Sequence, residues 1–270
     1  MTANTTFNPS RLTLARKRRG LTKRALAGRV GVESRSISAY ENGEFGPDNE
    51  NIGKLAAELR FPEQFFFGHD LDEPTPDVAS FRALSKMTAG QRDTALGAGA
   101  IALMLNDWIE KRFELPAADL PDLSRENGAE AAAGALRQIW GLGELPVNNM
   151  VHLLELKGVR VFSLSIDAAE VDAFSMWRQS TPFVFLNTLK SCEHSRFDAA
   201  HELGHLVLHR HGSPQGREAE QEANAFASAF LMPRASVLAN VPHMTTVNHL
   251  VQLKKRWNVS VAALAYRLHA

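Results

Sequence analysis

At 270 residues, 44% hydrophobic and 22% charged, the chain is long enough for two compact domains and too apolar to be disordered. One cysteine, Cys192, with no CxxC pair excludes an internal disulfide and a cysteine-held metal, which points to a reducing compartment. Thirty basic and thirty acidic residues cancel, and Met1 to Thr13 holds no apolar run behind a basic flank, so no signal peptide and a cytoplasmic location are expected.

The charge is unevenly spread. Between Ser10 and Ser36 stand nine Lys or Arg residues and one acid, Glu33, a local charge of +8 that attracts phosphate backbones. Arg11 to Arg19 reads as a first helix. Thr22 then caps a second helix, with Leu21, Ala25, Leu26 and Val30 at helical spacing, and Gly31 ends it. Ser34 is expected to cap a third helix running to Tyr40 and closed by Glu41-Asn42-Gly43, and Ile52 to Leu59 reads as a fourth. The aromatic run Phe61 to Phe67 closes this small core.

Gly68 to Asp77, with acids and two prolines, reads as a linker. Thr88 to Phe113 reads as one long helix. Its most apolar part, Ala95 to Leu105, is too short to span a bilayer and is expected to be packed. After a break at Pro116 to Pro121 come helices at Ala129–Trp140 and Asn148–Leu156. Strand-like runs follow at Val159–Leu164, Ala173–Trp177 and Phe183–Leu186. Helices dominate again from about Glu193, including Val247–Trp257 and Val261–Leu268.

The block LTKRALAGRVGVESRSISAYENG, Leu21 to Gly43, resembles the helix-turn-helix of the XRE/Cro repressor class. In that arrangement Ala25 lets two helices cross closely, while Val32 and Ile37 anchor the recognition helix. Ser34, Arg35 and Ser38 then point toward base edges, with Lys23 and Arg24 placed for phosphates. Lys23 departs from the class, which often has Gln there.

His201-Glu202-Leu203-Gly204-His205 is an HExxH pattern, for which random order gives only about 0.02 matches at this composition. On a helix, residues i and i+4 share a face, the separation two imidazoles need on one zinc. Glu202 lies where its carboxylate reaches a water on that metal rather than the metal itself. A third ligand comes from the following segment REAEQEANAFASAFLMP, which offers Glu218, Glu220 and Glu222. Glu220 sits about 60° from the centre of that helix's apolar face, against about 100° for Glu222 and about 140° for Glu218. Glu220 is thus aimed inward, the other two are expected in solvent, and Asn224 is positioned to hydrogen-bond a ligand. His209 and His211 are expected to continue the helix as structural or surface residues, and Cys192 to be a buried small hydrophobe. Tyr266 is an open candidate for an electrophile.

HELGH followed by ExxANxFAxxFLMP resembles the ImmA/IrrE family of metallopeptidases, a zincin group with a small sheet on its active-site helix. The resemblance covers Asn148 to Pro233. It implies His201, His205 and Glu220 as zinc ligands and Glu202 as general base, and it implies cleavage of a repressor-like protein in some members. The expected fold is mainly α with a small β-sheet, an α+β class. A helix-turn-helix bundle is expected over 9–68, a linker and long connecting helix over 69–122, and a zincin-like metallopeptidase domain over 123–270. The expected function is a DNA-binding regulator with gluzincin-like zinc endopeptidase activity. The strand Phe183–Leu186 is expected to offer its edge to an extended substrate. The expected partners are duplex DNA and a repressor-like protein, with no membrane; a homodimer stays open, as does manganese or iron in place of zinc. The alternative is a regulator whose zincin-like domain senses a signal without proteolysis.

Overall fold

The computed structural model describes residues 6–74, 80–81, 88–164, 171–210, 216–241 and 246–269. The chain divides into two compact units. One is made of Met1–Thr75, Ser85–Arg112 and Ser165–Val171, the other of Pro76–Leu84, Phe113–Leu164 and Asp172–Ala270. The architecture is mainly helical with one small sheet. Among the described residues no helix is long and apolar enough to cross a membrane.

In the first unit, Asn8 caps α1 (Pro9–Arg18) and Thr22 caps α2 (Lys23–Val30), each accepting a bond from an orphan backbone N–H. Gly31, at φ 76°, turns the chain into α3 (Ser34–Asn42). Ser34 is not the cap of this helix but its first residue: extended backbone at Glu33 takes the cap position, and the Glu33 carboxylate pairs with Arg35 Nε at 2.6 Å. Helix α4 (Asn49–Leu59) starts a turn before Ile52 because Asp48 accepts from Asn51 N. Leu12, Leu26, Ile37, Leu55, Leu59 and Phe66 fill the core, closed by a 3-10 turn at Glu63–Phe67. The long helix α5 (Ala89–Glu110) opens on a capping box between Thr88 and Gln91. It packs on α1: Thr94 Oγ1 donates to Lys17 O at 3.1 Å, and a Cβ on Gly97 would lie 3.3 Å from the Arg18 backbone. This helix, expected as a connector, is therefore part of the same unit, with Ala100 in its core.

The second unit contains α6 (Ala129–Ile139), α7 (Met150–Leu156) and a four-stranded sheet. Its strands are β1 (Ser80–Phe81), β2 (Arg160–Ser163), β3 (Ala173–Arg178) and β4 (Thr181–Leu186), in the order β1-β3-β4-β2. Strand β4 pairs antiparallel with β3 and parallel with β2, so it lies inside the sheet. The expectation that Phe183–Leu186 presents an edge is overturned, since both its ladder sides are already used. Strand β1 was not anticipated; two residues carry no readable periodicity, and the expected linker residues Thr75 to Asp77 lie outside the described residues.

Helices α8 (Cys192–Leu208) and α9 (Arg217–Leu231) follow, then α10 (Arg234–Asn240), α11 (Val247–Trp257) and α12 (Val261–His269). On β3 and β4 the side chains of Ala173, Val184 and Leu186 join one core with Leu203, Val207, Phe226 and Phe230 of α8 and α9. Phe174 and Phe185 stack on the opposite face at 4.3 Å. Buried Arg137 ties α6 to α9, donating to Phe230 O at 2.6 Å as well as to Gly143 O and Leu145 O.

Candidate metal centre

Every residue of α8 from Asp198 to Val207 is buried. The sheet covers one side and α9 the other, so HExxH has no solvent face to lose its polar groups to. Gly204 makes the close crossing possible: a Cβ there would lie 3.1 Å from Phe226 Cδ1 and 3.3 Å from Ala223 Cα. That crossing brings Glu220, in the first turn of α9, over the two histidines.

Three ligand-capable groups, His201, His205 and Glu220, lie with one donor atom each within 4.8 Å of one another. His201 Nε2 and His205 Nε2 are 3.1 Å apart. Glu220 Oε2 is 3.4 Å from His201 Nε2, and its Oε1 is 3.3 Å from His205 Nε2. Burial pushes the Glu220 carboxyl up, but the hydrogen bonds and charge of His201 and His205 outweigh it and hold the group down at about 2. Glu218 and Glu222 are exposed. Asn224 Oδ1 lies 3.2 Å from His201 Nδ1. Glu202 is fully buried, and Ser175 Oγ donates to its Oε2 at 2.7 Å.

One participant, Ser175, had no counterpart in the sequence reading. Ser175 shares the α8-facing side of β3 with Ala173, where the alternation asks for an apolar residue; a buried serine there is the only local signal. Helix α8 ends at Leu208, one residue before His209, whose Nδ1 nonetheless stands 3.1 Å from His205 Nδ1. His211 lies outside the described residues. Cys192 is exposed rather than buried, because it opens α8 at the residue after the cap Ser191, ahead of the buried stretch. Tyr266 is 61% exposed on α12, beside a cavity of about 390 Å³ that Phe197, Asn224 and Ser228 also line. A second constellation, Asp172, His194 and Asp198, has ligand-capable atoms equally close. There the Lys190 ammonium already touches Asp172 and sits 3.4 Å from His194 Nε2, so a protein cation fills the place.

In the first unit, Arg24, Ser34 and Arg35 are exposed, while Lys23 and Ser38 are partly buried. The Lys23 ammonium is 3.4 Å from Glu41, a carboxylate only 3% exposed that Arg16 also grips at 2.5 and 2.9 Å.

Residues 154–269 match the peptidase family described as IrrE N-terminal-like domain, and residues 10–67 match the family described as helix-turn-helix domain. The chain joins a helix-turn-helix domain to an IrrE N-terminal-like domain. No curated protein matches the chain. The IrrE-like segment begins inside α7 and takes in β2 to β4 with α8 and α9, and so contains His201, Glu202, His205, Glu220 and Asn224. The helix-turn-helix match spans α1 through the 3-10 turn, the part of the chain that carries the basic cluster.

Proposed function

We propose that the chain is a DNA-binding regulator whose IrrE-like domain is a zinc endopeptidase acting on a repressor-like regulatory protein. The carrying observation is the convergence of three ligand-capable groups: the two imidazole Nε2 atoms are 3.1 Å apart, Glu220 Oε2 is 3.4 Å from that of His201, and Glu220 Oε1 is 3.3 Å from that of His205. Ligands at zinc distances on a tetrahedron stand about 3.3–3.4 Å apart, close to each of these pairwise separations, so the three groups suit that ion. Two imidazoles and one ionised carboxylate leave one tetrahedral position for water or a substrate carbonyl.

Zinc, when bound, supplies Lewis acidity toward the scissile carbonyl and makes its water a nucleophile near neutral pH. Glu202 takes the proton of the attacking water and passes it to the leaving amine. Ser175 holds the Glu202 carboxylate in orientation through its hydroxyl. Asn224 holds the His201 ring from behind. In the helix-turn-helix domain, Ser34, Arg35 and Ser38 face base edges, and Lys23 and Arg24 face phosphates.

The test is to purify the chain, determine its metal by mass spectrometry, and incubate it with helix-turn-helix repressors encoded beside its gene. One zinc per chain with zinc-dependent cleavage supports the reading. One zinc with no cleavage of any such protein would leave the sensor alternative in its place.

A further inference from the structure

We infer that His209 and Glu222 form a relay that locks the tautomer of His205, a role that rests on the reading of His205 as a metal ligand. An imidazole binds a cation through a bare ring nitrogen, and its proton must then sit on the other nitrogen. For His205, Nε2 is the nitrogen that meets His201 Nε2 and Glu220 Oε1. Its proton therefore belongs on Nδ1, and Nδ1 faces His209 Nδ1 at 3.1 Å. Two ring nitrogens share only one hydrogen in such a bond. His205 Nδ1–H donates, so His209 Nδ1 must be bare and His209 carries its own proton on Nε2. That nitrogen lies 2.8 Å from Glu222 Oε2, a carboxylate oxygen that only accepts when ionised. Each assignment forces the next.

The two ligand imidazoles are thus held by different devices. His201 leans on an amide oxygen that cannot change its role, whereas His205 leans on a ring that can take either tautomer and needs Glu222 to fix it. The geometry follows from spacing. His209 stands four residues beyond His205 at the C-cap of α8, directly above it, and Glu222 comes from the outer face of α9. The reversed arrangement would put a proton on His205 Nε2, aimed at the donor triangle and excluding a cation. His209 and Glu222 are positioning residues; neither is one of the three donors.

The test uses the full-length chain with ¹⁵N-labelled histidine, freed of metal, and reads ring tautomers by long-range ¹H–¹⁵N correlation. Zinc affinity is then measured by competition with a chelator. The wild type should show His205 protonated on Nδ1. His209→Phe, which removes the acceptor, should lose that preference and bind zinc about 10–100-fold more weakly. Glu222→Leu, which removes the acceptor of the His209 Nε2 proton at an exposed position that threatens folding least, should weaken the Nδ1 preference of His205 and lose zinc affinity by less than His209→Phe. The proposal fails if the wild type carries the Nε2–H tautomer, or if His209→Phe matches the wild type in both tautomer and affinity. If the wild type takes up no zinc, the metal reading fails by itself, and the tautomers of the metal-free chain still decide whether the relay exists.

Discussion

His201 Nε2 and His205 Nε2 face each other at 3.1 Å on a stretch of α8, Asp198 to Val207, in which every residue is buried. Asn224 and His209 stand at the Nδ1 atoms of these two rings, and the Glu220 carboxylate lies 3.4 and 3.3 Å from the two Nε2 atoms, a buried donor set suited to a cation. Zinc should therefore stabilise the fold as well as serve chemistry. At zinc activities about a thousandfold above the dissociation constant, the added stability is about 4 kcal/mol. Chelation should lower the melting temperature of the wild type and leave His201→Ala, which should bind no stoichiometric zinc, unchanged. A His201→Ala chain with wild-type zinc content would rule out the assignment.

Glu202 is expected to act in chemistry rather than in holding the fold. Glu202→Gln is close to isosteric and retains an oxygen for the Ser175 hydroxyl, which now reaches Oε2 at 2.7 Å. It should keep zinc while cleavage falls at least about 100-fold, the lower end for a lost general acid–base group. Equal cleavage rates for the two proteins in a single-turnover assay would count decisively against this role.

The C-terminal helix is tied down by a pair whose pH response has a definite sign. Arg267, nearly buried, grips Glu130 through both carboxylate oxygens at 2.5 Å. The hydrogen bonds from Arg267 lead, burial opposes, and the Glu130 carboxyl falls below its ordinary 4.5. A depressed folded pKa contributes stability that is present above the unfolded value and lost as pH falls through the folded one. Since Glu130 is 54% exposed, the contribution is discounted to about 1 kcal/mol. Glu130→Gln should be less stable than wild type by about that much at pH 7. Denaturant titrations should show the gap closing below pH 4.5, and a gap unchanged at lower pH would contradict the pairing.

Gly158 offers a sharper test of the backbone. It ends the turn after α7 at φ 78°, and a Cβ there would lie 2.2 Å from Ala117 O. Left-handed strain and overlap with a carbonyl act together, so Gly158→Ala should cost at least about 2 kcal/mol. Wild-type stability in that variant would mean the Ala117 segment does not pack there.

What could be read in advance depended on how local the signal was. HExxH and the inward phase of Glu220 are properties of single helices, so spacing alone brought those residues forward. The cap at Thr22 was legible for the same reason. The interior place of β4 was not, because strand order is a long-range property that alternation along one strand does not encode. Ser175 and Glu222 act on residues of other elements, and a serine or an exposed glutamate taken alone has no such meaning. The basic cluster shows the same limit. A count ending at Ser36 cannot include Glu41, which folds back onto Arg16 and Lys23.

That carboxylate changes what the basic cluster should do on DNA. Lys23 is held near a buried acid that also binds Arg16, so its charge is partly spent within the protein. Arg24 is exposed. Each lysine or arginine that neutralises a phosphate contributes about 0.9 to the slope of log affinity against log salt. Arg24→Ala should therefore reduce the slope by nearly one unit, and Lys23→Ala by clearly less. Arg35 pairs with Glu33 at 2.6 Å, but both side chains are largely in solvent, and such a pair is worth at most about 1 kcal/mol. DNA can displace Glu33 at little cost. Arg35→Ala should then lose about 1–3 kcal/mol at the preferred site and relax selection at one base position, most plainly a guanine. Selection from random duplexes, followed by salt titration of the three variants on the full chain, reads all of these effects together. A Lys23→Ala slope change equal to that of Arg24→Ala would show that Glu41 does not hold Lys23 in the complex. A chain with neither a preferred sequence nor salt-dependent affinity would leave the helix-turn-helix domain without a role on DNA, and the metal centre in α8 and α9 untouched.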